Sequence, residues 1–127
     1  MAIREVYPYL CVHDAPGAIE FYSRVFGAVI GLRIDEPDGR VGHAELTFGP
    51  AVIMLADEFP EAGILSPRTV GGTATTIHLH VDDVDSLAST AAGAGATILR
   101  GPKTEGHGER QCRIRDPFGH QWLLGDG

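Results

Sequence analysis

Asparagine is absent from this 127-residue sequence, and lysine occurs once against nine arginines. This bias is typical of a GC-rich genome, so a bacterial source is expected. Cysteine occurs only twice, at Cys11 and Cys112, without the paired spacing of a metal or redox motif. Both are therefore expected to be reduced thiols in the interior of a cytoplasmic protein.

Basic side chains are also few, since ten Lys and Arg against 17 Asp and Glu give a formal net charge of −7. A general nucleic-acid or anionic-membrane binder needs a basic surface, so neither is expected as a partner. The acidic balance instead mildly favours a neutral or cationic small ligand. No apolar run approaches membrane-spanning length, and the first residues lack a signal-peptide pattern, which agrees with a cytoplasmic location.

What the sequence does contain is an internal repeat. The phrase from Tyr9 to Asp14 opens a helical stretch that ends at Gly27. The phrase from His78 to Asp83 opens a second stretch, which ends at Gly95. Such a repeat indicates two equivalent structural units, and so two facing surfaces that form a cleft or cup.

Alternating hydrophobicity and turn signals predict the same order of elements in each half: a strand, a helix and three more strands. The first half is expected to have strands at 3–12, 29–34, 41–48 and 51–56 and a helix at 15–26. The second is expected to have strands at 75–81, 97–100, 110–115 and 121–124 and a helix at 84–92. Residues 101–108 are expected to form a glycine-rich loop.

The predicted fold class is therefore α+β, with two tandem βαβββ modules that form a cup-shaped mixed sheet with the helices outside. The chain is expected to be a single domain, 1–127. Module 1 spans about 3–56 and module 2 about 74–125. They are joined by a linker, 57–73, that is expected to lack regular structure.

Four phrases carry a resemblance to a known family: Ala18 to Tyr22 followed by Phe26-Gly27, His43 to Leu46, Val81 to Asp85, and Asp116 to Trp122. With two βαβββ modules, the chain resembles the vicinal oxygen chelate superfamily of glyoxalases, bleomycin-resistance proteins and extradiol dioxygenases. It is most similar to the small uncharacterised bacterial glyoxalase-like members. The resemblance implies a fold but no single reaction, because this fold hosts unrelated chemistries.

Glyoxalase-type members hold a divalent metal with His, Gln or Glu at four places, on the first and last strands of each module. The resemblance puts Tyr7, Met54, Thr76 and Leu123 at these places. Tyrosine is a poor ligand for such an ion, methionine is soft, threonine is weak and leucine cannot bind. We therefore expect no metal and no other cofactor.

Other polar side chains are expected on the same face of the sheet, because side chains alternate along a strand. Ile77 and Leu79 should pack on a helix, which turns His78 and His80 the other way. The predicted ligand-binding residues are Tyr7, Tyr9, His43, Glu45, Met54, Thr76, His78, His80, Arg113 and Leu123. Glu45 is the candidate catalytic residue, although it equally suits a salt bridge, and each histidine also suits a hydrogen-bonding wall.

Two functions remain open. The first is metal-free binding of a small molecule, which could sequester a drug or metabolite. The alternative is a lyase, isomerase or dioxygenase-like enzyme acting on a small oxygenated metabolite, with a displaced metal or acid/base site at His43, Glu45, His78 and His80. Because many members of the superfamily pair two chains to complete each cup, the resemblance also implies a homodimer.

Overall fold

The computed structural model describes residues 1–127, which divide into two compact units, Met1–Ser66 and Pro67–Gly127. Unit 1 contains β1 (Tyr9–Val12), α1 (Ala15–Phe26), β2 (Val29–Asp35), β3 (Val41–Phe48) and β4 (Ala51–Asp57), followed by a 3-10 helix, Pro60–Ala62. Its sheet has the order β1-β4-β3-β2. Strand β1 is parallel to β4, and the other neighbours are antiparallel.

Unit 2 has the same order of strands. It contains α2 (Pro67–Val70), β5 (Thr76–His80), α3 (Val84–Gly93), β6 (Thr97–Thr104), β7 (Arg110–Arg115) and β8 (Gln121–Gly125). Its sheet runs β5-β8-β7-β6, with β5 parallel to β8. The internal repeat is thus confirmed, and so is the α+β class with one long helix against one face of each sheet.

Helix α1 covers one face of the first sheet. Asp14 caps its start by accepting a hydrogen bond from the backbone N–H of Gly17, and Gly27 ends it in a left-handed conformation with φ 69°. Tyr22 of this helix is buried, and its ring lies 5.8 Å from that of Phe48. Leu46 and Phe48 therefore pack towards the helix, which leaves His43 and Glu45 on the opposite face of β3.

In unit 2, Trp122 forms the centre of the core. Its side chain is fully buried, and its Nε1–H donates to the carboxylate of Asp116 at 2.8 Å. Cys112 and Ile114 of the neighbouring strand are buried with it. Trp122 is therefore a core residue, and an indole N–H that is removed from water has the acceptor it needs.

Three predictions about regular structure were wrong by more than one residue. Strand β1 begins at Tyr9 instead of residue 3, because Pro8 has no N–H to continue a ladder. The segment 57–73 is not structureless, since it holds the 3-10 helix and α2. Strand β6 extends to Thr104, so half of the predicted loop 101–108 is strand. Gly101 allows this with φ 84°, and a Cβ there would lie 2.6 Å from the carbonyl oxygen of Gln111.

None of the helices is both long and apolar enough to cross a membrane.

Candidate functional site

The face of each sheet that points away from its helix carries the predicted site residues in equivalent rows. In unit 1, Tyr9 pairs with Met54, which pairs with Glu45 of β3. In unit 2, His78 pairs with Leu123, which pairs with Arg113 of β7. The two copies of the repeat thus keep the same geometry with different chemistry.

Three polar residues of unit 1 form a continuous hydrogen-bonded chain. The hydroxyl of Tyr9 lies 2.7 Å from Nδ1 of His43, and Nε2 of the same ring lies 2.8 Å from a carboxylate oxygen of Glu45. In the tautomer that satisfies both contacts, Nε2–H donates to the carboxylate and Nδ1 accepts from the phenol. Burial, with Cys11 and Glu45 nearby, raises the pKa of Tyr9 above 10.0, so the phenol stays protonated at neutral pH. This arrangement can hold or pass a proton between an ordered imidazole and a ligand.

A second cluster lies in unit 2 and includes a residue that the sequence did not indicate. His78 and His80 are two positions apart on β5, and their rings meet edge to face with centroids 4.6 Å apart. The carboxylate of Glu109, directly before β7, lies 3.9 Å from Nε2 of His78. All three side chains offer a potential metal-ligand atom within 4.8 Å of the others.

The carboxylate of Glu109 is held in place by two further donors. The side-chain amide of Gln111 donates to one oxygen at 2.8 Å, and the backbone N–H of Gly127 donates to the other at 3.1 Å. The hydrogen bond from Gln111 is the main cause that holds the pKa of Glu109 below its usual value, so this group is an anion at neutral pH.

Arg113 also lies on this face, on the other side of β8 from His78. Its guanidinium donates to the hydroxyl of Thr76 at 2.8 Å and has no carboxylate within ion-pair distance. Arg100 is its cross-strand neighbour on β6. A small open pocket of about 60 Å³ is lined by Arg100, Lys103, Glu105, Gln111, Cys112, Arg113 and Leu123. The pocket therefore carries three cations against one carboxylate, opposite in sign to the whole chain.

The four places that the resemblance assigns to a metal do not fit one. Tyr7 lies before β1, and its hydroxyl donates to the carboxylate of Glu5. Met54 and Leu123 offer only a thioether and an alkyl group on β4 and β8. The hydroxyl of Thr76 accepts a hydrogen bond from Arg113, and a guanidinium beside it would repel a cation.

The two cysteines do not form a nucleophilic site. Neither forms a disulfide, and Cys112 is buried while Cys11 is half-buried. Burial, with Glu58 and Asp57 nearby, raises the pKa of Cys11 to about 11, and burial also raises that of Cys112. Because the thiolate is the reactive form, both side chains are suited to packing and not to covalent catalysis.

Residues 5–124 match the family model of the Glyoxalase/Bleomycin resistance protein/Dioxygenase superfamily. Two tandem βαβββ units with polar sheet faces are the architecture that the sequence phrases predicted for this class. The chain belongs to this superfamily.

Its sequence relatives include an uncharacterised protein of Mycobacterium bovis, 41% identical over 121 residues, which cover 93% of this chain and 80% of that protein. A lactoylglutathione lyase of Arabidopsis thaliana is 27% identical over 114 residues, which cover 89% of this chain but only 40% of the plant protein.

Among solved structures, TioX from Micromonospora sp. ML1 is 28% identical, with a TM-score of 0.72 and coverage of 98% of this chain and 96% of TioX. The fosfomycin resistance protein FosX of Listeria monocytogenes, in complex with Mn(II) and sulfate, is 15% identical, with a TM-score of 0.77 and coverage of 100% and 92%. At that identity, the likeness to FosX concerns the fold alone.

Proposed function

We propose that this protein binds a small organic molecule with an anionic group, and that it does so without a metal at the four places used by glyoxalases. The observation that carries the proposal is the guanidinium of Arg113. It lies on the sheet face with no carboxylate partner and is oriented by the hydroxyl of Thr76, at one of the four metal places.

A guanidinium at this position can bind the oxygens of a ligand, which is one role of the metal in glyoxalase-type members. It offers several N–H donors in a fixed plane, which suits the paired oxygens of a carboxylate, phosphate or phosphonate. Arg100 and Lys103 add positive charge at the same pocket, although both also contact Glu105, at 3.3 and 3.9 Å. Arg113 is therefore the cation that is most available to a ligand.

The rest of the ligand has apolar surface to contact. Leu123 lines the cationic pocket. Apolar walls with a few fixed polar groups are typical of small-molecule sites. The local charge favours an anionic metabolite or drug over the cationic ligand that the overall composition suggested.

Calorimetry and thermal-shift assays in the presence of a chelator test this function. The panel consists of small carboxylates, phosphonates and phosphate esters, with cationic aromatic natural products as the comparison set. We expect at least one anionic compound to bind below the millimolar range, and Arg113→Ala to weaken it by about 10- to 100-fold through loss of charge-assisted hydrogen bonds.

The matched control is Arg24→Ala, on the exposed side of α1, which should leave binding unchanged. Binding that needs added metal would contradict the proposal. So would a panel in which only the cationic compounds bind, or in which nothing binds below the millimolar range.

An enzymatic function is the second candidate, and the hydrogen-bonded chain from Tyr9 through His43 to Glu45 is the observation that favours it. An imidazole that is oriented by a carboxylate is a common general base. On this view, the protein removes or adds a proton on a small oxygenated metabolite, as a lyase or isomerase would.

We also propose a homodimer. All seven residues of the edge strand β2 are exposed, including the large apolar side chains Val29, Ile30, Leu32 and Ile34. Strand β6, at the edge of the other sheet, exposes Ile98 and Leu99. Edge strands with exposed apolar side chains are usually covered in stable proteins, and a second copy of the chain is the cover that the family resemblance implies.

Sedimentation equilibrium at micromolar concentration should give twice the chain mass of 13.5 kDa. The dimer should persist at high salt, because apolar burial is not screened by ions. A monomer at micromolar concentration would rule out this assembly.

A further inference from the structure

We infer that His78, His80 and Glu109 bind one divalent transition-metal ion, at a place on the second sheet that differs from the usual metal site of the family. The site departs from the expectation that this chain holds no metal. It is independent of the proposed ligand-binding function, because it can be measured without any organic ligand.

The donor set suits such an ion. Two imidazoles and one carboxylate are typical ligands of Zn²⁺, Co²⁺ and Ni²⁺, whereas Mg²⁺ and Ca²⁺ prefer oxygen ligands throughout. The donor atoms of the three side chains already lie within 4.8 Å of one another. In a tetrahedral site with bonds of about 2.1 Å the donors are about 3.4 Å apart, so a small rotation of the two exposed rings closes the difference.

Two glycines leave the space that this cluster occupies. Gly125 pairs with His80 on one side and with Gln111 on the other, so it lies between the two strands that supply the ligands. A Cβ at Gly125 would lie 2.3 Å from an oxygen of Glu109 and 3.0 Å from Nε2 of His78. A Cβ at Gly127 would lie 2.6 Å from the same carboxylate. Any side chain at these positions would push the donors apart.

The carboxylate is also prepared for a metal. Gln111 and the backbone N–H of Gly127 each hold one of its oxygens, so the group is fixed while each oxygen keeps a free lone pair. Hydrogen-bonded ligands of this kind are the ones that metal sites use, because the outer partners fix their orientation.

This cluster is not a structural feature that the two units share. In unit 1, Tyr9 and Cys11 take the places of the two histidines. Arg40 takes that of Glu109, as the matching turn hydrogen bonds from Glu36 to Arg40 and from Glu105 to Glu109 show. A guanidinium at the place of the carboxylate cannot ligate a cation. The three metal-ligand side chains are therefore specific to unit 2.

Titration of the tag-free, chelator-treated full chain with Co²⁺ and Zn²⁺ tests the site. We expect one equivalent to bind with a dissociation constant on the order of micromolar or below. The visible absorption of Co²⁺ should show nitrogen ligation. In NMR spectra, the ring protons of His78 and His80 should shift on addition of Zn²⁺ while those of His43 do not.

Substitution of each metal ligand separates this site from others. His78→Ala, His80→Ala and Glu109→Gln should each weaken the metal by at least about tenfold, and Glu109→Gln keeps the shape of the side chain. His43→Ala is the matched control, because it removes an imidazole with a carboxylate neighbour but no second histidine. Full-affinity binding by the His78→Ala/His80→Ala double variant would overturn the inference, as would less than a tenth of an equivalent bound by the unmodified chain.

The His107→Ala variant tests whether the metal uses His107 in place of His80. Nε2 of His107 also lies 3.9 Å from Glu109. Loss of the metal in His107→Ala with retention in His80→Ala would place the ion at a different pair and contradict the assignment.

Discussion

Replacement of Asp57 with alanine should lower the free energy of unfolding by about 2–5 kcal/mol. The carboxylate of Asp57 is buried at the end of β4, where one oxygen accepts the backbone N–H of Ala15 and the other that of Val41, both at 2.7 Å. It therefore joins the start of α1 to the start of β3. Without it, two buried N–H groups have no acceptor, and each costs about 1–3 kcal/mol.

The repeat supplies a matched control for this prediction. Asp126 is the equivalent residue of unit 2, and it accepts only the backbone N–H of Arg110, at an exposed position. Water can replace an exposed acceptor, so Asp126→Ala should cost less than about 1 kcal/mol. Urea denaturation followed by circular dichroism measures both variants. Equal losses for the two substitutions would show that the second hydrogen bond and the burial of Asp57 do not matter.

Replacement of Glu45 with glutamine should reduce proton transfer by about 10²- to 10⁴-fold if the second candidate function is correct. Glutamine keeps the size of the side chain and can still contact Nε2 of His43, but it removes the charge that stabilises a protonated imidazole. Binding of the substrate should be retained, because the rest of the face is unchanged.

The readout is incorporation of solvent deuterium into small hydroxycarbonyl compounds, followed by NMR. Glu20→Gln, on the exposed side of α1, is the control and should exchange like the unmodified chain. Absence of exchange in the unmodified chain across the panel would remove the enzymatic candidate. Equal exchange rates in Glu45→Gln and the unmodified chain would show that Glu45 takes no part in proton transfer.

Much of the fold followed from local signals. Helix α1 and strands β3 and β7 lie where the sequence predicted them, because each has a clear capping residue or turn on both sides. The boundaries that were wrong involve a proline that stops a ladder and a glycine, Gly101, that lets β6 continue. Both depend on whether a neighbouring strand is there to pair with, which a single strand does not reveal.

The site was predictable only in part. The face on which His43, Glu45, His78 and Arg113 lie follows from alternation along their own strands, and the structure places them on the faces expected. Which of these side chains contact one another does not follow from alternation. Tyr9 reaches His43 across β4, and Tyr7, which precedes the strand, contacts Glu5 instead.

The sequence by itself determined that this protein is a tandem repeat of one βαβββ unit, since period, capping and turn residues are local properties that sequence records directly. It also determined which side chains leave each core, because strand alternation has a fixed period. Only the tertiary structure decided that Glu109 joins His78 and His80. That contact crosses β8 and requires both the strand order and a glycine at residue 125 in register with His80. It also decided that Arg113 meets Thr76, because a contact between distant residues depends on register and on the space between strands.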